Sequence, residues 1–391
     1  MELSSVRSDV AIIGAGVHGA SAAYHLALRG VSTVVFEQNS PASGPTGQSS
    51  AIVRSYYTNP FLAEVARDST RFFEEFDTRT NGGDGGYRRT GGLYLHGDVD
   101  VAHVQQTADG MAALGIDHEV LLTPALAERF PMLNLQGIAI GVWEERAGYA
   151  DPHQTAVGFV DAAKRSGTEV HSHARVERIQ EQQNSVRLEL ADGISHEVGT
   201  VLIAAGPWSR PLAIQVGFNV PLTVERHVVA GMGFPSDVSS PSVSHLLLDV
   251  VGGYYSRPLE PNQFLLGGLV SSEEADPDDF SGKITDLEFA WLAERAIERV
   301  PSRAAAVARS SWASLYDVSP DWQPVIGQVS EHTFIDAGTS GHGFKLAPAL
   351  GEHVARLLVG EADGRLAQFS PARFTTGAFL SSGFGDARIL G

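Results

Sequence analysis

Residues Val10 to Glu37 read VAIIGAGVHGASAAYHLALRGVSTVVFE, and no other stretch of the chain constrains its fold as strongly. Val10-Ala11-Ile12-Ile13 has the apolar, β-branched character of a buried strand. The run breaks at Gly14-Ala15-Gly16-Val17-His18-Gly19, continues as an alanine-rich helix to Arg29, and stops at Gly30. A second strand, Thr33 to Phe36, ends in Glu37. Strand, glycine turn, helix and strand closing on an acid are the parts of a dinucleotide site. Gly14 permits the tight turn, Gly16 lets the backbone approach a diphosphate, and Gly19 lets helix and strand pack closely. The helix N-terminus, with Val17 and His18 in its first turn, offers N–H groups and a positive dipole end to phosphates. A carboxylate at Glu37 suits two ribose hydroxyls and repels a 2′-phosphate.

At 391 residues, with no cysteine and a formal charge of −18, the chain has room for two domains with substantial cores. Zero cysteines exclude disulfides, thiolate metal sites, a cysteine nucleophile and a cysteine-linked cofactor, and no metal site is expected. The acidic balance argues against nucleic acid or an anionic membrane as partner, but a local basic pocket can still take an anionic substrate. Apolar runs such as Val10–Ile13 and Thr200–Ala205 are far too short to span a bilayer. MELSSVRSD carries no secretory pattern, so cytoplasmic residence is the expectation.

Turn-rich punctuation divides the rest. Residues 39 to 60 are too polar and glycine-rich for a core element. Helices are expected over Phe61–Phe76, Val101–Leu114, Pro124–Phe130, Asp151–Ser166 and Leu287–Val300, with a surface turn at Asn81–Gly86. Strands are expected over Gly91–Leu95, Val170–Ile179, Val186–Leu190 and Thr200–Ala205, and strand patterns dominate Val220–Leu269. The mixture predicts an α/β (α+β) chain, a Rossmann-type nucleotide domain interleaved with a sheet-rich second domain.

Two later segments favour FAD over NAD. Thr200 to Ala205 is a buried strand that ends at Gly206-Pro207-Trp208, an additional crossing that a simple nicotinamide domain does not need. Thr333 to Asp336 is a strand, and Gly338-Thr339-Ser340-Gly341-His342-Gly343-Phe344-Lys345 leads into a helix from Ala347 to Val359. Glycines, a lysine and a helix N-terminus together suit the delocalised negative charge of a reduced flavin.

With these segments in order, the chain resembles the D-amino-acid oxidase/sarcosine oxidase family of FAD-dependent amine oxidoreductases, most closely its sarcosine-oxidase-like branch. The resemblance rests on GAGVHG with Glu37, Ser49-Ser50-Ala51-Ile52-Val53-Arg54, Ala204-Ala205-Gly206-Pro207-Trp208, Tyr254-Tyr255-Ser256-Arg257-Pro258, and Pro324-Val325-Ile326-Gly327 followed by Gly341–Lys345. It implies an FAD-binding domain of residues 1–88, 148–217 and 322–391, and a substrate-binding domain of 89–147 and 218–321. It adds Gln48, Ser49, Ser50, Val176, Ala205, Gly206, Trp208, Gly341, His342, Gly343, Phe344 and Lys345 to the cofactor-binding set. It also implies that Arg54 and Lys345 hold a substrate carboxylate, a planar fork plus a point charge. Tyr254 and Tyr255 point to opposite faces of a strand, so one at most meets a ligand, and the resemblance favours Tyr255. Arg257 is the alternative carboxylate ligand. The side chains of His18 and His342 are read as turn or backbone-positioning groups.

The chain departs from the family where the flavin is attached and where oxygen is reduced. It has no cysteine for a covalent bond, and Gln48 stands where dimethylglycine-dehydrogenase-like relatives carry a flavin-linked histidine, so noncovalent FAD is expected. Gln263-Phe264-Leu265-Leu266-Gly267 lacks the lysine that monomeric sarcosine oxidases place over the flavin for oxygen reduction. The electron acceptor, O2 or an electron-transfer partner, therefore stays open. The expected activity is oxidation of the C–N bond of a primary or secondary amino acid, by hydride transfer to flavin N5 and hydrolysis of the imine. The alternatives are FAD-dependent oxidation of a 2-hydroxy acid and a flavin subunit that works within a multisubunit dehydrogenase.

Overall fold

The structure, a computed structural model, describes residues 8–238, 243–259, 262–381, 383–385 and 387–390; the N-terminal MELSSVR and four residues of the Val220–Leu269 strand region at 239–242, with two more at 260–261, lie outside these. The N-terminal unit forms as its sequence predicts: β1 (Ser8–Ile13), α1 (Val17–Leu28) and β2 (Thr33–Phe36). β1 pairs in parallel with β2 on one side and with the strand Ser195–Ile203 on the other. Buried on both faces, these strands need the near-continuous apolar runs that they carry. The sheet extends past β2 to Glu169–His171. On its other side lie the hairpin Val176–Glu181/Val186–Leu190 and the parallel strand Thr333–Ala337, itself paired with Val325–Gln328.

α1 lies between the helices Pro152–Arg165 and Ala347–Leu358. Its approach to the second helix is close enough that a Cβ on Gly351 would sit 2.2 Å from Ser21 Oγ, which donates to the Ala347 carbonyl at 2.7 Å. Small residues along α1 (Ala20, Ala22, Ala23) make that contact possible, and they are why the helix reads as alanine-rich.

A second eight-stranded sheet has the order Val307–Val318, Thr223–Gly233, Gln263–Gly268, Tyr254–Pro258, Leu246–Asp249, Gly92–His96, Ile140–Glu144, His118–Leu122. Its period of two sorts side chains between two destinations. Ala230, Met232, Tyr254, Phe264 and Leu266 pack beneath the helix Asp286–Arg299, which opens on a Thr285/Glu288 capping box. His227, Val229 and Tyr255 turn to the opposite face, toward the N-terminal unit.

The structure corrects three expectations. Segment 39–60 is not all surface: residues 51–57 are buried, and Ile52–Val53 pairs antiparallel with Gly148–Tyr149. Val170–Ile179 is two strands, Glu169–His171 and Val176–Glu181, separated at His173 in a left-handed conformation (φ +57°). The long strand Val307–Val318 carried no signal that the sequence reading used, and neither did His118–Leu122 or Ile140–Glu144. No described helix is long and apolar enough to cross a membrane.

Candidate active site

The C-terminal ends of β1 and Ser195–Ile203 open onto a cavity of about 530 Å³, large enough for an extended cofactor. Its floor is the glycine turn. Gly14 has φ +106°, and a Cβ there would sit 2.4 Å from the Ala204 carbonyl oxygen; one on Gly19 would sit 2.1 Å from the Gly14 carbonyl oxygen. Turn, helix and crossing strand thus touch backbone to backbone, leaving the first turn of α1 facing the cavity. Thr46, in the short helical turn Pro45–Gln48, accepts from Val17 N at 3.1 Å through Oγ1. Trp312 Nε1 ties that turn to the second sheet by donating to the Gln48 carbonyl at 2.8 Å.

At one end of the cavity Glu37 is buried and fixed: its carboxylate accepts from Ala15 N at 2.8 Å and from Asn39 N at 2.9 Å. It has no basic partner among the described residues, so acceptor capacity remains for a ribose diol. Val176, Ala205, Gly206 and Trp208 line the same end.

The other end is built from the second sheet and the loop 338–345. Tyr316 lies flat against Gly341, where a Cβ would come within 2.2 Å of the ring, and stacks on His227 at 3.8 Å between centroids. His227 Nε2 bonds Glu225 at 3.0 Å; burial lowers its pKa more than Glu225 raises it, which leaves a neutral imidazole. Tyr255 and Ser50 both line the cavity, while Tyr254 turns away into the opposite core. The Tyr255 ring also covers Gly267, where any Cβ would meet it at 2.3 Å.

Behind this end sit two buried cations. Arg54, 2% exposed, donates to the carbonyls of Tyr56 and, at 2.8 Å, Ile389, with its guanidinium 4.4 Å over the Tyr57 ring. Lys345, 5% exposed, donates to the His342 carbonyl at 3.3 Å. Neither has a carboxylate partner among the described residues. Burial, and then the charge of Arg54, hold the Lys345 pKa well below its ordinary value, so the two cations feel each other. The same surroundings push His342 down to about 3, through burial and then Lys345; its Nε2 donates to the Trp322 carbonyl at 2.8 Å. Glu144, whose pKa burial raises while Tyr94, Ser55 and Arg54 pull it down, is already bonded to Tyr94 Oη and Ser55 N.

The residues expected at the site thus divide. Gly14, Gly16, Val17, His18, Glu37, Gln48, Ser49, Ser50, Val176, Ala205, Gly206, Trp208, Tyr255, Gly341, Gly343 and Phe344 line the cavity. Gly19, Arg54, His342 and Lys345 stand behind its wall. Arg257 is outside the group: it lies over Tyr149 at 4.2 Å and bonds the Pro258 carbonyl, with no part in the lining. The sequence reading missed Thr46, His227, Tyr316, Asp317, Asp336 and Thr339. Asp336 and Thr339 flank or lie in the glycine-rich segment already quoted, and only the alternation of the strands Thr223–Gly233 and Val307–Val318 could have pointed to His227 and Tyr316.

The donors and acceptors fit FAD. A diphosphate would lie against the first turn of α1, a ribose diol against Glu37, and a flavin ring between the second sheet and the glycine loop. Comparison with known proteins agrees with the fit. Residues 9–357 match the profile of the family described as DAO, FAD dependent oxidoreductase. The chain is 26% identical over 384 residues to monomeric sarcosine oxidase of Streptomyces avermitilis, covering 93% of this chain and 97% of that protein. It is 26% identical over 381 residues to sarcosine oxidase subunit beta of Rhizobium meliloti, covering 95% of this chain and 89% of that protein. In fold it is similar to L-proline dehydrogenase from P. horikoshii, with a TM-score of 0.85 at 21% identity, covering 95% of this chain and 98% of that one.

Proposed function

The chain belongs to the DAO family of FAD-dependent oxidoreductases, and from that premise we propose that it oxidises the C–N bond of an amino acid whose carboxylate is held by Arg54 and Lys345. The observation that carries this reading is the pair of buried basic side chains, just behind the cavity wall, that have no carboxylate partner among the described residues. Burying a charge is costly unless it is paired, and an anionic substrate would supply the missing partner.

Bound FAD supplies the two-electron acceptor for the reaction. The residues of this chain bind and orient the substrate. A carboxylate fixed by Arg54 and Lys345 would leave the neighbouring carbon facing the cavity, where a displacement of about 1 Å can cost on the order of a hundredfold in rate. The same two cations disfavour a third positive charge, so the substrate amine would bind neutral without a side-chain base. Tyr255 and the stacked pair His227 and Tyr316 would close the space around it and exclude water. Under this reading residues 1–88, 148–217 and 322–391 form the FAD-binding unit. The β1-containing sheet, which falls wholly within those ranges, supports that division.

Anaerobic titration with panels of amino acids and 2-hydroxy acids tests the proposal. Flavin absorbance should bleach with amino acids, and heat should release intact FAD, since the chain has no cysteine and Gln48 offers no flavin bond. Bleaching by hydroxy acids alone would reassign the clamp to C–O chemistry. No bleaching by either panel would point to a subunit that needs a partner, the organisation named in the Rhizobium relative.

Replacing Glu37 with Ala tests the opposite end of the cavity. A hydrogen bond to a charged group contributes roughly 1.5–3 kcal/mol, so FAD affinity should fall about 10- to 150-fold. Any holoenzyme that remains should be reduced by substrate at close to the wild-type rate. An unchanged affinity would place the adenosine elsewhere.

A further inference from the structure

His18 stands at the first turn of α1, where a histidine would serve as no more than a turn residue if its side chain faced solvent. It does not. Nδ1 lies 3.0 Å from both oxygens of Asp336, a carboxylate on Thr333–Ala337 whose side chain is fully buried. Asp317, on Val307–Val318, adds a second negative charge near the ring; its own carboxylate accepts from Gly338 N at 2.6 Å. Nε2 is buried and has no hydrogen-bond partner among the described residues. A Cβ on Gly343 would sit 2.6 Å from Nε2, so the missing side chain leaves that nitrogen room beside the glycine loop. His18, Gly343, Asp336 and Thr339 all line the cavity.

We propose that His18 binds the cofactor through its side chain: Asp336 holds Nδ1 from behind, and Nε2 donates a hydrogen bond to the flavin beside the glycine loop. This rests on the assignment of the cavity to FAD. Buried N–H groups in folded proteins are rarely left unpaired, and the FAD cavity is where an acceptor can reach this one. Burial alone would lower the His18 pKa; the charge and hydrogen bond of Asp336, with Asp317 behind them, outweigh it and raise the pKa above its ordinary value. The other titratable groups facing this loop are His342, which is neutral, and Lys345. A cationic ring there favours the negative charge that a flavin gains on reduction. That charge is present at low pH and is lost as pH rises through the raised pKa.

The test compares wild-type holoenzyme with His18→Gln, which keeps a donor but cannot be charged. Flavin midpoint potential and the affinity of apoprotein for FAD are measured at about pH 6, below the ordinary histidine pKa of about 6.5, and at about pH 9. At the lower pH His18→Gln should be at least tenfold harder to reduce, about 30 mV for a two-electron couple, and the gap should shrink at the higher pH. Equal potentials at both pH values, or a gap that does not change with pH, overturn the inference. If the orphaned Asp336 prevents folding, the double variant His18→Gln/Asp336→Asn gives the same comparison. Glu37→Ala separates the two assignments, since it should weaken FAD binding without moving the potential. If Glu37→Ala binds FAD like wild type, the cavity assignment fails and this inference with it. If Glu37→Ala weakens binding while His18→Gln changes nothing, the inference alone falls.

Discussion

Arg54→Lys should lower the efficiency of flavin reduction by amino acids by about 30-fold to several thousandfold while FAD content stays at the wild-type level. Lysine keeps the charge but loses the planar fork, so the exchange is not conservative at a two-donor site. Removing one partner of a desolvated charge pair costs about 2–5 kcal/mol, which sets the range. Arg54 also bonds the Tyr56 and Ile389 carbonyls and covers the Tyr57 ring, so Arg54→Ala would loosen the packing around Tyr56, Phe384 and Ile389 as well. Thermal unfolding of both variants separates that structural loss from the kinetic one. A decarboxylated amine should be a poor reductant of wild type and should lose little more in Arg54→Lys. An equal fall for the amino acid and the amine would make Arg54 a structural residue and remove the main support for an amino-acid substrate.

Gly14→Ala should yield protein that retains little or no flavin. The added methyl would meet the Ala204 carbonyl at 2.4 Å, and the backbone there is left-handed at φ +106°. Forcing extra volume into packed backbone costs about 1–3 kcal/mol, and the left-handed conformation adds roughly 1–2 kcal/mol. Both costs fall on the junction of β1 with Ser195–Ile203, which is the cavity floor. Gly30→Ala is the matched control. Its φ is +72°, but no atom lies within 4 Å of the new Cβ, so it should lower the unfolding temperature and leave the flavin-to-protein ratio unchanged. The ratio in purified protein is the measurement. Equal flavin loss in both variants would show that backbone conformation, not the close approach at Gly14, sets retention.

The N-terminal half of the site was legible because everything it needs is local. Strand, turn glycines, helix and Glu37 follow one another, and each strand shows as a short apolar run bounded by turn signals. Arg54 was found through a family motif, against the polar appearance of its surroundings. The burial of residues 51–57 depends on pairing with Gly148–Tyr149 and on rings such as Phe384, which no local pattern displays. The break at His173 was invisible for another reason: Ser172-His173-Ala174-Arg175 contains no glycine or proline, yet turns left-handed at histidine. The contact of the His18 side chain with Asp336 could not be read from the sequence, because the two lie 318 residues apart.

That separation shapes how the molecule comes together. The strand Ser195–Ile203 holds β1 on one side and Thr333–Ala337 on the other, and the flavin end of the cavity is sealed by residues from 314 to 344. Loop-closure entropy grows slowly with length, so the stability cost of this arrangement is modest. Its kinetic cost is larger, because parallel pairings at long range form late and slowly. During synthesis the nucleotide-binding βαβ unit emerges first and must wait, with its apolar strands uncovered, for the strand at Thr333–Ala337 and the helix Ala347–Leu358. FAD that spans both ends of the cavity would find its full set of contacts only once those ends are joined, so its concentration would act chiefly on the final equilibrium. The chain is thus most exposed to aggregation at the stage when its cofactor would have least hold on it.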